Sequence, residues 1–248
     1  MPGKSKKISS VQQLPHNLMK VPHYFGLQKT SLVDYPGKVA SVLFFPGCDL
    51  RCPYCHNPDL VYGRTEGLTA RSKVIDFLRY RAPLLGGVVI SGGEPLLYPG
   101  IADFIKLIKD ETGLSIKIDT NGLHPKALEN LEVDYIAMDL KTLPEKYSLL
   151  GGSDDAAARY MQSLQILKSN IIPYELRTTI VPELLSLHEV TALKDCLEGV
   201  EQHIITGFRP GNCLNPDYNS LPEVSLSLLE EYLAAFQAIG SSTCIRKL

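Results

Sequence analysis

Short apolar runs alternate with amphipathic stretches along most of the chain. Runs rich in β-branched and aromatic residues at 39–45, 87–90, 115–118, 135–138, 175–181 and 203–208 predict six strands. Between and after them, apolar residues at helical spacing predict helices over 70–82, 101–110, 124–131, 156–168, 187–197 and 224–239. In 101–110, for example, Ile101, Phe104, Ile105 and Ile108 fall on one helical face. Such alternation argues for a parallel sheet flanked by helices and curled towards a barrel. With fewer units than a closed eightfold barrel needs, the expected fold is an incomplete (βα)6 barrel with one open side.

The polar motifs sit where that fold would gather them. Ser91-Gly92-Gly93-Glu94, Asp119-Thr120-Asn121-Gly122, Asp139-Leu140-Lys141 and Arg177-Thr178-Thr179 all fall at or near C-terminal strand ends. In a βα barrel those ends meet on the face where active sites are built. Composition narrows the class without changing it. Apolar residues make up 44% and charged residues 21%, an ordinary globular balance. A formal net charge of −2 gives no general case for nucleic-acid binding. No apolar run approaches the ~18 residues of a membrane span, and the N-terminus lacks the apolar core of a secretory signal. We expect a single domain over 24–240, a flexible extension at 1–23 and a tail at 241–248. The extension has no Asp or Glu but carries Lys4, Lys6, Lys7 and Lys20, and Pro2 and Pro15 with no Arg speak against a targeting helix.

Six cysteines are unevenly placed, three within eight residues and Cys196, Cys213 and Cys244 scattered. With no export signal, this pattern points to a reducing, cytoplasmic compartment and a metal or redox site rather than to disulfides. The loop Gly47-Cys48-Asp49-Leu50-Arg51-Cys52-Pro53-Tyr54-Cys55-His56-Asn57 follows the first predicted strand. Soft thiolates select iron–sulfur clusters, zinc or copper(I). Structural zinc wants a fourth ligand, which would have to come from far away. A dithiol at Cys52 and Cys55 leaves Cys48 and the later polar strand ends without a role. Three cysteines on a 4Fe–4S cluster leave one iron open.

The spacing Cys48-x3-Cys52-x2-Cys55, with Tyr54 before the last cysteine, resembles the radical S-adenosylmethionine (radical SAM) signature. The resemblance implies that Cys48, Cys52 and Cys55 hold a 4Fe–4S cluster whose open iron chelates S-adenosylmethionine. It implies that Gly92, Gly93 and Glu94 form the methionine-binding edge, with Glu94 accepting from the methionyl ammonium. Tyr54 and His56 are expected to flank the adenine, and Asp119 and Asp139 the ribose and carboxylate side. Asn121, Lys141 and Arg177 complete the expected cofactor set. For Asp119, Asn121, Asp139 and Lys141 the residues alone leave open a self-satisfied salt-bridge network, since burying such charges unpaired is expensive.

The stretches Leu27-Gln28-Lys29-Thr30-Ser31-Leu32-Val33-Asp34-Tyr35-Pro36-Gly37-Lys38 and Cys55-His56-Asn57-Pro58-Asp59-Leu60 narrow the likeness. Together with Phe208-Arg209-Pro210 they resemble the glycyl-radical activating enzymes, and most of all the activating proteins of anaerobic ribonucleoside-triphosphate reductase. This implies an electron from flavodoxin or ferredoxin, cleavage of the sulfonium, and hydrogen abstraction from a glycine of a glycyl-radical partner enzyme. The sequence departs from that pattern in two places. No second cysteine-rich insertion lies between Cys55 and Thr69, and Ile204-Ile205-Thr206-Gly207 stands where glutamines are expected before Phe208. A radical enzyme acting on a small molecule, similar to carboxy-deazaguanine synthase, and a dithiol redox protein are the alternatives.

Overall fold

The computed structural model describes residues 20–169 and 171–246. Its strands are β1 (Tyr24–Ser31), β2 (Ala40–Phe45), β3 (Thr69–Ala70), β4 (Gly87–Gly92), β5 (Ser115–Thr120), β6 (Tyr135–Asp139), β7 (Tyr174–Ile180), β8 (His203–Gly207) and β9 (Thr243–Ile245). The helices are α1 (Pro58–Val61), α2 (Arg71–Arg81), α3 (Ile101–Thr112), α4 (Pro125–Leu128), α5 (Ala156–Ser169), α6 (Lys194–Leu197) and α7 (Leu226–Ala238). All six expected strands are present. They pair in parallel in the order β2-β4-β5-β6-β7-β8. The sheet runs on to β9 at one end and, through antiparallel β1, to β3 at the other. The sheet thus has two edges, as an incomplete barrel must.

Three expectations change. The stretch 24–31, read only as a motif, is a strand antiparallel to β2; Gly26 and the polar run Gln28-Lys29-Thr30 hide its period from the sequence. The tail expected at 241–248 contains β9, which pairs in parallel with β8. The helix expected over 187–197 is a tighter 3-10 turn over Leu187–Leu193 before α6, started by a capping box of Ser186 and Glu189. Of the extension expected over 1–23, residues 1–19 lie outside the described ones, while Val21 and Pro22 are buried. Among the described residues no helix is long and apolar enough to cross a membrane.

Strand alternation divides the side chains between two faces. In β5, Ile116 and Ile118 join the main core with Phe104 and Ile108, while Lys117 and Asp119 take the opposite face. A separate small core of Tyr35, Ala40, Val42 and Val89, with Phe44 and Tyr135 packed on it, gives the Leu27–Lys38 motif its structural role. At the sheet's far side His203 is wholly buried, with its ring nitrogens 2.9 Å from Thr178 Oγ1 and 2.8 Å from Thr243 Oγ1. It therefore ties β7, β8 and β9 together.

The end of β4 fixes where the cysteine loop begins. Gly93 N–H donates to Phe45 O and Glu94 N–H to Gly47 O, each at 2.8 Å. Gly92 holds φ at 118°, and a Cβ there would lie 2.3 Å from Phe45 N. A Cβ on Gly93 would lie 1.9 Å from Gly47 O. The glycine pair is thus required by backbone meeting backbone.

Gly93→Ala should cost about 1–3 kcal/mol or more, because the atoms it strikes are main chain. A thermal melt should show Tm lower by several degrees, and an unchanged Tm would contradict the packing. Burial pushes His203 down to about 3 from 6.5, so below pH 6.5 the unfolded chain takes up the proton first. Stability present above pH 6.5 should be lost progressively towards pH 3, with one proton's slope missing in His203→Asn. Equal slopes in urea unfolding of the two proteins would count against this.

Candidate active site

Cys48, Cys52 and Cys55 line one cavity of about 120 Å³ at the C-terminal strand ends. The same cavity is lined by Tyr54, Gly92, Gly93, Asp119, Asn121, Asp139, Lys141 and Arg177. Eleven of the thirteen residues singled out from sequence are therefore brought together. The loop itself is pinned at several points. Gly47 N–H donates to Leu60 O at 2.6 Å and Arg51 N–H to Leu150 O at 2.6 Å. On the far side Leu214 N–H reaches Cys55 O at 2.8 Å and Asn215 N–H reaches Pro53 O at 2.9 Å. Arg51 caps the first turn, its Nη1 lying 2.6 Å from Cys48 O and 2.8 Å from Leu50 O.

Two of the thirteen stand elsewhere. Glu94 is fully buried and does not line the cavity. Its Oε1 accepts from Leu96 N and Thr120 Oγ1, both at 2.9 Å, and its Oε2 from Asn121 N at 2.7 Å. Burial still pushes the carboxyl up to about 7, against the pull of those amide donors. Glu94, expected to accept from an ammonium, here braces β4 to β5 through three internal donors. His56 is exposed; its Nε2 donates to Arg209 O at 2.8 Å and its ring stacks on Phe208 with centroids 6.2 Å apart. Expected to flank the adenine, it does not line the cavity that the cysteines share. Of the glycine pair, Gly92 makes its close approach to the end of β2 and Gly93 to the start of the cysteine loop.

The charges on the cavity wall are paired with one another. Arg177 donates to Asp139 Oδ1 through Nε at 2.9 Å and Nη2 at 2.8 Å, and to Asp119 Oδ2 through Nη1 at 3.2 Å. Lys141 Nζ lies 3.0 Å from Asp139 Oδ2, Lys117 pairs with Asp119 Oδ1, and Ser91 Oγ donates to Asp119 Oδ2 at 3.0 Å. The guanidinium and ammonium hold Asp139 at about 2 against the upward push of burial. Asp119 is lowered for the same reason, while Arg177 and Lys141 are raised by the carboxylates. Breaking a buried pair of this kind by removing one partner typically costs about 3–5 kcal/mol. Asp119, Asp139, Lys141 and Arg177 therefore stay ionised at neutral pH.

Sequence reasoning missed Ser91 and Lys117 in this network, and Thr120, which lines the cavity and donates to Glu94. Lys117 left a signal, since it shares strand parity with Asp119 among isoleucines that face the other way. Cys196, Cys213 and Cys244 do not line the cavity.

The donor set fits an iron–sulfur cluster. Among the described residues no three His, Cys, Asp or Glu side chains converge on a single metal ion. Three thiols share this cavity with no fourth cysteine lining it, a donor set that suits a cluster with one iron left open better than a four-ligand zinc site. Burial pushes Cys48 up to about 12 and raises Cys52, the opposite of the lowered thiols of exchange dithiols. A metal centre is what would hold such thiols deprotonated. The adjacent paired charges of both signs suit a zwitterionic amino-acid end and ribose hydroxyls.

Comparison with known proteins agrees with this geometry. The radical SAM superfamily model matches residues 42–190. A protein of Methanocaldococcus jannaschii named as a glycyl-radical enzyme activating enzyme is 30% identical over 207 residues, covering 79% of this chain and 84% of that one. The pyruvate formate-lyase-activating enzyme of Clostridium pasteurianum is 34% identical over 174 residues, covering 66% and 71%. The structure of QueE from Escherichia coli shares the fold with TM-score 0.55 and 14% identity, over 95% of this chain and all of that one. The chain belongs to the radical SAM superfamily, among the glycyl-radical activating enzymes, and its cofactors are a 4Fe–4S cluster and S-adenosylmethionine.

Proposed function

We propose that this enzyme installs the glycyl radical of anaerobic ribonucleoside-triphosphate reductase, drawing its electron from a flavodoxin or ferredoxin in the cytoplasm. The observation that carries the reading is the cavity that three cysteines share with a network of paired charges. The motif likeness over 24–210 favours the reductase, while the named relatives support glycyl-radical enzymes as the substrate class. Six free cysteines suit a reducing compartment.

In this reading Cys48, Cys52 and Cys55 hold the cluster, and Gly92, Gly93, Asp119, Asn121, Asp139, Lys141 and Arg177 bind S-adenosylmethionine. A cluster held there would supply one-electron reductive cleavage of S-adenosylmethionine and, with it, the means of hydrogen abstraction from a glycine of the partner. The chain's residues do the rest by position. Asp139 and Arg177 are locked together before any ligand arrives, so little side-chain freedom is left to lose on binding. Leu50, Tyr54 and Val61 line the cavity and keep water from the reacting atoms. No general base is needed. The cofactor carries the hard chemistry, and the protein positions and shields it.

Anaerobic reconstitution followed by incubation with S-adenosylmethionine, reductant and the reductase should give a glycyl-radical signal in electron paramagnetic resonance. Cys48→Ser, Cys52→Ser and Cys55→Ser should each lower that signal by about a hundredfold or more, with loss of bound iron. Retained cluster in Cys48→Ser would overturn the three-cysteine assignment. Cofactor cleavage without radical on any glycyl-radical enzyme would redirect the substrate to a small molecule.

A further inference from the structure

Cys48 is flanked by two residues that are both tied to the ends of neighbouring strands. On one side Gly47 O accepts from Glu94 N–H at 2.8 Å. On the other, both carboxylate oxygens of Asp49 are engaged from the turn between β5 and α4. Asn121 Nδ2 donates to Oδ1 at 2.7 Å, and His124 Nε2 donates to Oδ2 at 2.9 Å. Asn121 is itself immobilised, with Oδ1 accepting from Leu123 N at 2.9 Å and its own N–H held by Glu94. The bonds close a circuit from Gly47 through Glu94 and Asn121 to Asp49, with Cys48 in the middle. His124 stands outside the circuit and braces it at one oxygen.

His124 touches neither the cavity nor the thiols. It is partly buried, and its other surroundings are the walls of a crevice between α4 and α5 lined by Lys126, Asp155 and Arg159. A histidine on a turn with such neighbours needs no partner 75 residues away for solubility. The contact to Asp49 therefore calls for its own explanation. A hydrogen bond to an ionised acceptor is about twice as strong as one between neutral groups. It is also strongly directional, so it restricts where the Asp49 carboxylate sits and, through one peptide unit, where Cys48 sits.

We propose that His124 is a positioning residue for Cys48, acting through Asp49 to hold the cysteine loop in its ligating arrangement before any cluster is bound. The inference rests on the radical SAM reading of the loop and is independent of which partner the enzyme activates. Asp49 is the intermediary, Asn121 the fixed donor, and His124 the donor that reaches in from a second turn.

The test uses the full chain, purified anaerobically without cluster, as wild type, His124→Phe and His124→Gln. Alkylation of Cys48 by N-ethylmaleimide, followed by mass spectrometry, reads how often the loop opens. Buried Cys213 in the same sample reports general loosening. In His124→Phe, Cys48 should react about tenfold faster with Cys213 unchanged, the factor that answers to losing one hydrogen bond of about 1.4 kcal/mol. Iron and sulfide bound per chain after reconstitution should fall in step. His124→Gln keeps an N–H donor and should restore both readings. An unchanged Cys48 rate in His124→Phe overturns the proposal. So does a parallel rise at Cys48 and Cys213 without rescue by glutamine, which would make His124 an ordinary packing residue. Because the readings come from the chain's own thiols, a failed glycyl-radical assay leaves this result interpretable, and the reverse holds as well.

Discussion

The main-chain contact between Gly93 and Gly47 is the constraint on which the site depends. Two strand ends are brought so close that no side chain fits between them. The approach lets Glu94 N–H and Gly93 N–H take up carbonyls at the start of the cysteine loop. From there order passes outward. The Glu94 side chain reaches the end of β5, Asn121 returns to Asp49, and the first cysteine is set relative to the polar ends of the sheet. Any residue larger than glycine at 93 would push the loop away from the ion network before chemistry is considered.

The ion network is the complementary requirement. Three cations and two carboxylates share the inner face of β5, β6 and β7, and each carboxylate has two cationic partners. Burying either sign alone would cost several kcal/mol per ion. Pairing removes most of that cost and leaves a rigid wall with donors and acceptors fixed in place. Such a wall binds a charged ligand without first having to reorganise, which is how preorganised polar sites act. The barrel's missing strands leave one side open, so a site built at the strand ends stays accessible.

Much of this was legible in the sequence, and the parts that were not share a cause. Strand positions, the convergence of motifs and the three cysteines follow from short-range patterns, because period and spacing are local properties. That Glu94 and His56 lie off the cavity wall was not legible, because what fills a side chain's hydrogen-bonding capacity is a tertiary fact. Glu94 looks like a free acceptor in Ser91-Gly92-Gly93-Glu94, yet Leu96, Thr120 and Asn121 use it. β9 was missed because three residues beside a Ser–Ser pair carry too little pattern to announce a strand. The Asp49–His124 contact left no trace, since its partners lie 75 positions apart and neither belongs to a periodic set.

The central claim is that Cys48, Cys52 and Cys55 would hold a 4Fe–4S cluster in the cavity they share with Asp139, Lys141 and Arg177. The most direct measurement is the electron paramagnetic resonance spectrum of the reduced, reconstituted protein before and after addition of S-adenosylmethionine. The account predicts a 4Fe–4S signal whose g-values and line shape change on addition, because S-adenosylmethionine would bind at the cluster. A spectrum that does not change at saturating S-adenosylmethionine would contradict it.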